Sequence, residues 1–265
     1  MGRVPPSPAV LEAFGLTLTA SPTRSREVWR VGSAALKRVD HPAAVEWFCE
    51  LLTKLDPPSD FRIPAPIAAV DGRWIVDEWV ASTWISGTED GSRWYDILDT
   101  GSRFHEWLSD IERPAWIDQV DDPWRASDRM AWDEQSIAVR SEFTPLVDQL
   151  TSLRRPIAAT SQLVHGDLTG NVLFSDGLAP GIIDLSLYWR PPGYGAAIVA
   201  VDCFEWEGVG PEVLNRVAAL PEGEQLLIRA ALFRIIRASM VPWANTEDRL
   251  KIHQRTASAL QSRPA

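Results

Sequence analysis

The residues with the clearest chemical potential lie between positions 165 and 184. A polar loop with the sequence HGDLTGN (165–171) is followed by an apolar run, a turn and a second apolar run that ends at Asp184. The side-chain oxygens of Asp167, Asn171 and Asp184 suit Mg²⁺, which usually takes one or two protein carboxylates together with water and substrate phosphates. A carboxylate kept off the metal can accept a proton from an attacking hydroxyl, as in kinase-type phosphoryl transfer.

Two short apolar runs must position these groups. The run 172–174 follows the polar loop, the run 181–183 precedes Asp184, and the turn between them is rich in Asp, Gly and Pro. This pattern predicts a β-hairpin that holds the end of the loop beside Asp184. Asp167, Asn171 and Asp184 are therefore expected to converge. The alternative is a polar turn whose Asp and Asn side chains only cap and turn the backbone.

The stretch resembles the signature of the aminoglycoside phosphotransferase and choline kinase-like families. Their catalytic loop begins His-Gly-Asp, ends in Asn and is followed by a strand ending Ile-Asp. The resemblance implies that Asp167 is the catalytic residue and that Asn171 and Asp184 are metal ligands. This chain has three residues between Asp167 and Asn171 where the families usually have four, and Gly170 is the residue that permits a tighter turn.

The resemblance implies an α+β, two-lobed protein kinase-like fold. Residues 1–80 would form the N-terminal nucleotide-binding lobe, with a small β-sheet, and residues 81–265 the larger, mainly helical, catalytic and substrate-binding lobe. The hinge would lie at about residues 78–82. Its backbone would bind the adenine of ATP, which makes Glu78, Trp79 and Val80 candidate nucleotide contacts.

Lys37 is the candidate phosphate-binding lysine. Alternating segments at 27–31 and 35–39, separated by a Gly-Ser turn, predict an antiparallel hairpin with Lys37 in its second strand. A helix predicted over residues 43–55 follows. By resemblance, Glu46 on this helix would pair with Lys37 and hold it towards the phosphates, with Glu50 as the second choice; the alternative is a solvent-facing lysine on a strand.

The sequence lacks the glycine-rich phosphate loop of such folds. Arg24 or Arg26 is the candidate replacement. A nucleotide-binding pseudokinase with a regulatory role is therefore kept as an alternative, as is transfer of an adenylyl group in place of a phosphoryl group.

The composition of the chain limits the classes of partner and the cellular location that we expect. The formal charge of −10 argues against a nucleic-acid backbone, and no apolar run is long enough to span a membrane. The start, MGRVPPSPAV, has prolines where a signal peptide would have an apolar core. Cys49 and Cys203 form no metal or disulfide framework and are predicted to be buried. A cytoplasmic location is expected.

The predicted reaction is ATP- and Mg²⁺-dependent phosphorylation of a hydroxyl on a small molecule, with an aminoglycoside, a sugar or an amino alcohol equally compatible. Trp189, Arg190 and Tyr194, in the turn-rich segment after Asp184, are the candidate substrate contacts. Asp202 matches by position an aspartate that, in the resembled family, braces the catalytic loop from a helix.

Overall fold

The structure is a computed structural model and describes residues 4–17, 23–25, 27–242 and 245–263. The chain forms two compact units. Unit 1 comprises Met1–Thr88 and Leu173–Ile183, and unit 2 comprises Glu89–Val172 and Asp184–Ala265. The boundary predicted after residue 80 differs from this division, because the first unit continues to Thr88 and takes in a later segment of the chain.

Unit 1 is built on an antiparallel sheet. Its strands are β1 (Thr23–Ser25), β2 (Val28–Val31), β3 (Ala34–Arg38), β4 (Pro66–Ile67), β5 (Ile75–Val76) and β6 (Trp79–Thr83). The order is β1-β2-β3-β6-β4, with β5 also paired to β6. The predicted β2–β3 hairpin is confirmed, and Gly32 provides the positive φ of +60° that its turn requires.

The link between β5 and β6 is a two-residue turn formed by Asp77 and Glu78. Both have positive φ, 47° and 65°, as in the turns that match the twist of a hairpin. The chain turns twice in this segment, first at Asp71-Gly72 and again at Asp77-Glu78. An ion pair between Glu78 and Arg38, at 2.6 Å, ties the second turn to β3.

Two helices complete the first segment of unit 1. α1 (Pro8–Ala13) packs Val10 and Leu11 into an apolar cluster with Leu36, Trp79 and other buried residues of the sheet. α2 (Pro42–Leu52) begins at a proline in its first turn, as predicted, since proline has no N–H to donate and its φ suits a helix start.

The later segment of unit 1 is the hairpin that the sequence predicted. β8 (Val172–Ser175) and β9 (Leu178–Ile182) pair with each other. Backbone bonds join this hairpin to earlier parts of unit 1. Arg62 donates its N–H to Pro180 and accepts from Ile182, both at 2.7 Å, and Thr88 exchanges two bonds of 2.9 Å with Phe174.

Unit 2 is mainly helical. Its helices are α3 (Trp94–Trp107), α4 (Pro123–Ala131), α5 (Thr144–Leu153), α6 (Gly193–Trp206), α7 (Glu212–Ala218), α8 (Gly223–Ser239) and α9 (Thr246–Gln261), and it contains one two-stranded sheet, β7 (Gln162–His165) with β10 (Leu187–Arg190). α6 and α8 are buried along most of their length and form its core. The mixed α+β class is confirmed. Among the described residues, no helix is long and apolar enough to cross a membrane.

Candidate active site

The candidate catalytic loop starts at the paired ends of β7 and β10. His165 lies opposite Leu187, and one residue later Gly166 donates its N–H to the carbonyl of Ser186 at 2.8 Å. A Cβ on Gly166 would lie 2.5 Å from the ring of Tyr188, so only glycine permits this packing. The backbone just before Asp167 is thus joined to the backbone just after Asp184.

A tight turn connects Asp167 to Asn171. The N–H of Asn171 donates to the carbonyl of Leu168 at 2.9 Å, and Gly170 has a φ of +76°. The side-chain Nδ2 of Asn171 donates to the backbone carbonyl of Asp167 at 2.7 Å and to its Oδ2 at 3.2 Å. The three-residue spacing is therefore accommodated by Gly170, as the sequence predicted, and it brings the two polar side chains into contact.

Arg234 on α8 holds the carboxylate of Asp167 from the other side. Its Nη2 lies 2.7 Å from Asp167 Oδ1 and 2.5 Å from Asp202 Oδ2, and its Nε donates to Asp202 Oδ1 at 2.7 Å. Burial raises the pKa of Asp202 to about 6, and the neighbouring Arg234 opposes that rise. Asp202 thus braces the loop through an arginine.

A buried histidine pair fixes the strand that precedes the loop. The N–H of His165 donates to Nε2 of His105 at 2.9 Å, and the N–H of Asp167 donates to Nδ1 of His165 at 3.0 Å. Burial lowers the pKa of His105 to about 3, with a further contribution from His165. Nε2 of His105 accepts this hydrogen bond, which requires the neutral form of the ring. His165 organises the loop by hydrogen bonds.

Asp184 follows β9 and is exposed, with a φ of +51°. Aspartate is among the residue types that adopt this left-handed conformation most readily. Asp184 precedes Ser186 by two residues, and the carbonyl of Ser186 accepts a hydrogen bond from Gly166 of the catalytic loop. Its role as a metal ligand remains a prediction.

In unit 1, Lys37 lies in the middle of β3, between Val28 on β2 and Val80 on β6. Glu46 is exposed on α2. The phosphate-binding role of Lys37 and the supporting role of Glu46 stay predictions.

The candidate adenine contacts Glu78, Trp79 and Val80 lie at the start of β6. β6 pairs with β3 along one edge and with β4 and β5 along the other, so both edges of β6 are hydrogen-bonded within the sheet. Trp79 is buried and Glu78 pairs with Arg38. The adenine-binding role of Glu78, Trp79 and Val80 stays a prediction.

The three candidate substrate contacts have different environments. Arg190 is buried, with ion pairs of 2.6 Å to both Asp128 and Glu134. Tyr194 is fully buried, with its ring edge against Trp132. Both side chains are used in the packing of unit 2, which does not support a substrate role for them. Trp189 is only partly buried in β10, and its role stays a prediction.

The proposed replacement for the glycine-rich loop is only partly within the described residues. Residues 18–22 and Arg26 lie outside them, and Arg24 is described only through the backbone of β1, where it pairs with Trp29.

The fold and the His-Gly-Asp loop define a phosphotransferase of protein kinase-like architecture. A model of the Phosphotransferase enzyme family matches residues 18–226. The chain therefore belongs to this family of phosphotransferase enzymes. No curated protein sequence matches the chain closely enough to show a relationship.

Solved structures agree with the fold. An aminoglycoside phosphotransferase from Alicyclobacillus acidocaldarius has a TM-score of 0.64 at 17% identity, over 98% of this chain and 95% of its own. A microcompartment-associated aminopropanol kinase has a TM-score of 0.61 at 17% identity, over 96% and 93%. The spectinomycin phosphotransferase APH(9)-Ia, in complex with ADP and spectinomycin, has a TM-score of 0.53 at 13% identity, over 96% of each chain.

Two residues of the site were missed from the sequence. Arg234 is a charged residue among apolar neighbours in α8, and His105 lies on the buried face of α3. A charge within an apolar helical stretch is a usable signal, because a buried arginine is normally paired. Nothing in the local sequence identifies its partners, which lie 67 and 32 positions away.

Proposed function

We propose that the protein transfers the γ-phosphoryl group of ATP to a hydroxyl of a small molecule with the help of Mg²⁺. Asp167 orients the acceptor hydroxyl and takes its proton. Asn171 and Asp184 hold the metal, and Lys37 contacts the nucleotide phosphates. When bound, Mg²⁺ would neutralise charge that develops on the phosphate oxygens.

The donor set of unit 2 fits such a metal. Nδ2 of Asn171 faces Asp167, so its amide oxygen faces away from that carboxylate. Asp184 offers an exposed carboxylate. One carboxylate and one amide oxygen suit Mg²⁺, which completes its shell with water and phosphates. Among the described residues, no group of three or more His, Cys, Asp or Glu could hold a metal ion.

One observation carries the proposal. The carboxylate of Asp167 is held by Arg234 and Asn171, yet its side chain keeps 37% of its surface accessible. A group that is fixed in orientation and still reachable is what a positioned proton acceptor requires, because catalysis of this kind depends on geometry first. A merely structural aspartate in this contact set has no reason to remain accessible.

The test compares the wild type with Asp167→Asn. ADP formation is measured with ATP, Mg²⁺ and a panel of polyols, sugars, hydroxy acids, sugar phosphates, amino alcohols and aminoglycosides. We expect a loss of at least a hundredfold in turnover, the lower end of the usual contribution of a positioned acid or base. ATP-induced thermal stabilisation should persist. Full turnover in the variant would remove Asp167 from the mechanism.

Asp184→Asn tests the metal separately. A ligand at a hundredfold its Kd stabilises a protein by about 2.7 kcal/mol. We expect the Mg²⁺-dependent part of the stabilisation by ATP to weaken in this variant. Nucleotide binding without turnover on any acceptor would favour the pseudokinase alternative, and mass spectrometry of the product separates phosphoryl from adenylyl transfer. A cytoplasmic location stays part of the proposal.

A further inference from the structure

Two arginines one helical turn apart on α8 stack against the same tryptophan. The guanidinium carbon of Arg234 lies 5.8 Å from the ring centre of Trp124, and that of Arg237 lies 4.3 Å from it. Residues three apart share a helix face, and Arg234 contacts Asp167. Arg237 is therefore on the side of α8 that faces the candidate catalytic residue.

A third arginine lies against the ring that packs on the catalytic loop. The guanidinium carbon of Arg125 is 4.0 Å from the ring centre of Tyr188, whose ring occupies the space beside Gly166. Arg125 and Trp124 are both in the first turn of α4. We call Trp124, Arg125, Tyr188 and Arg237 the arginine–aromatic cluster. It adjoins Asp167 through Gly166 and through Arg234.

Arg125 and Arg237 differ from their neighbours because neither forms a close ion pair within the described part of the chain, although Arg125 lies near Asp128 and Arg237 near Asp122. Arg190 is paired with Asp128 and Glu134, and Arg234 with Asp167 and Asp202. Among the residues that the structure describes, neither Arg125 nor Arg237 donates a side-chain hydrogen bond, and Nε of Arg237 is buried without an acceptor. A buried donor without a partner is rare in proteins and calls for an explanation.

The remaining acid of this region is engaged elsewhere. Asp122 lies near both Arg237 and Tyr188, but its Oδ1 caps α4 by accepting from the N–H groups of Trp124 and Arg125, at 2.7 and 2.9 Å. Arg237 therefore lies near a carboxylate that is already bonded, and Arg125 lies near Asp128, whose carboxylate is bound by Arg190.

We propose that the phosphoryl acceptor carries an oxyanion group, a carboxylate or a phosphate, bound by Arg125 and Arg237. The proposal rests on the proposed function, since it names the class of compound whose hydroxyl reaches Asp167. A guanidinium stacked on an aromatic ring keeps its N–H edge available, and that edge matches the geometry of carboxylate and phosphate oxygens. Trp124, which is 41% exposed, offers an apolar surface for the carbon skeleton between the two groups.

The same arrangement disfavours a polycation. An ammonium group placed beside two arginines without ion-pair partners would meet like charge, which costs binding free energy. The similar structures described as aminoglycoside and aminopropanol phosphotransferases act on compounds that carry amino groups. The arginine–aromatic cluster indicates that this chain selects the opposite charge.

The first experiment measures anion binding without nucleotide. Thermal shift is titrated with inorganic phosphate and, separately, with acetate, at constant ionic strength, on the wild type, Arg125→Gln, Arg237→Gln and the exposed control Arg216→Gln. We expect a saturable stabilisation in the wild type and in the control that is lost in the two cluster variants. Equal stabilisation in all four proteins, or none in the wild type, would overturn the proposal.

The second experiment measures ADP formation with four acceptors of similar size and different charge: glycerol, 1-amino-2-propanol, glycerate and glycerol 3-phosphate. Larger hydroxy acids and sugar phosphates are tested afterwards. Preferred acceptors should be anionic, and the two anionic arms separate carboxylate from phosphate. Each cluster variant should raise the KM of the anionic acceptor about tenfold or more, the effect of losing one charge-assisted hydrogen bond.

The outcomes separate the two proposals. A preferred acceptor that is neutral or cationic, or a cluster variant that weakens ATP binding and leaves the acceptor KM unchanged, would overturn the anionic acceptor. Phosphate binding that depends on Arg125 and Arg237, with no turnover on any compound, would instead leave the anion site standing and refute the phosphotransferase reaction.

Discussion

Arg234→Met is the substitution whose effect the structure defines most sharply. The guanidinium of Arg234 is the only cation recorded in contact with Asp202 among the described residues, and the Asp202 side chain is only 8% exposed. Removing one partner of a buried ion pair costs about 3–5 kcal/mol, because the other charge remains buried. That loss is a large fraction of the 5–15 kcal/mol that typically stabilises a folded protein.

The loss of unfolding free energy in Arg234→Met should depend on pH in a defined direction. The pKa of Asp202 in the folded wild type is raised to about 6 from its ordinary 3.8. An acid with a raised pKa contributes stability that is fully present below its unfolded pKa and is lost as the pH rises through the folded value. Without Arg234 the pKa of Asp202 rises further, so Arg234→Met should be more destabilised at pH 8 than at pH 5.

Urea unfolding at the two pH values measures this effect. Arg234→Met is compared with Arg216→Met, an exposed control, and with the double variant Arg234→Met/Asp202→Asn. The double variant should recover much of the loss at pH 8, since the unpaired buried charge is gone. A loss below about 1 kcal/mol in Arg234→Met, or a loss equal at both pH values, would refute the role assigned to this ion pair.

Two further outcomes are expected. Burial lowers the pKa of His105 to about 3, so its neutral form contributes stability that is present above pH 6.5 and is lost as the pH falls towards 3. The unfolding free energy of His105→Gln should therefore fall less steeply between pH 6.5 and 4 than that of the wild type. An unchanged slope would contradict this. A Cβ at Gly195 would lie 2.4 Å from His105 Cε1 and 2.9 Å from the carbonyl of His165, so Gly195→Ala should cost about 1–3 kcal/mol in urea unfolding. Gly193→Ala is the matched control on the same helix, because its nearest neighbour is a movable methyl of Leu226; equal losses in the two variants would count against the packing argument.

The parts of the fold that the sequence predicted are those set by local patterns. The β8–β9 hairpin follows from two apolar runs around a turn, and the β2–β3 hairpin follows from two alternating segments around a Gly-Ser turn. The tight turn at Gly170 was predicted because the loop is one residue shorter than usual, and glycine adopts the backbone conformations that such a turn needs. In each case the decisive residues are within about ten positions of one another.

The parts that were missed depend on distant partners. Asp77 and Glu78 form the β5–β6 turn although glutamate is not a typical residue for positive φ, and the ion pair of Glu78 with Arg38, 40 positions away, contributes to it. The contacts of Arg190 with Asp128 and Glu134 likewise span 62 and 56 positions. Pairings of this kind leave no periodicity in the sequence, so local reasoning assigned Arg190 to the substrate.

The discontinuity of unit 1 has a consequence for how the protein is made. Arg62 bonds to Pro180 and Ile182, and its side chain donates to the carbonyls of Ala179 and Ser86. A ribosome that adds roughly 5–20 residues per second releases the first 88 residues seconds before residue 183. During that interval Arg62 has no β9 to bond with. The sheet of β1 to β6 can pair before then, but unit 1 is completed only after just over half of unit 2 has been synthesised.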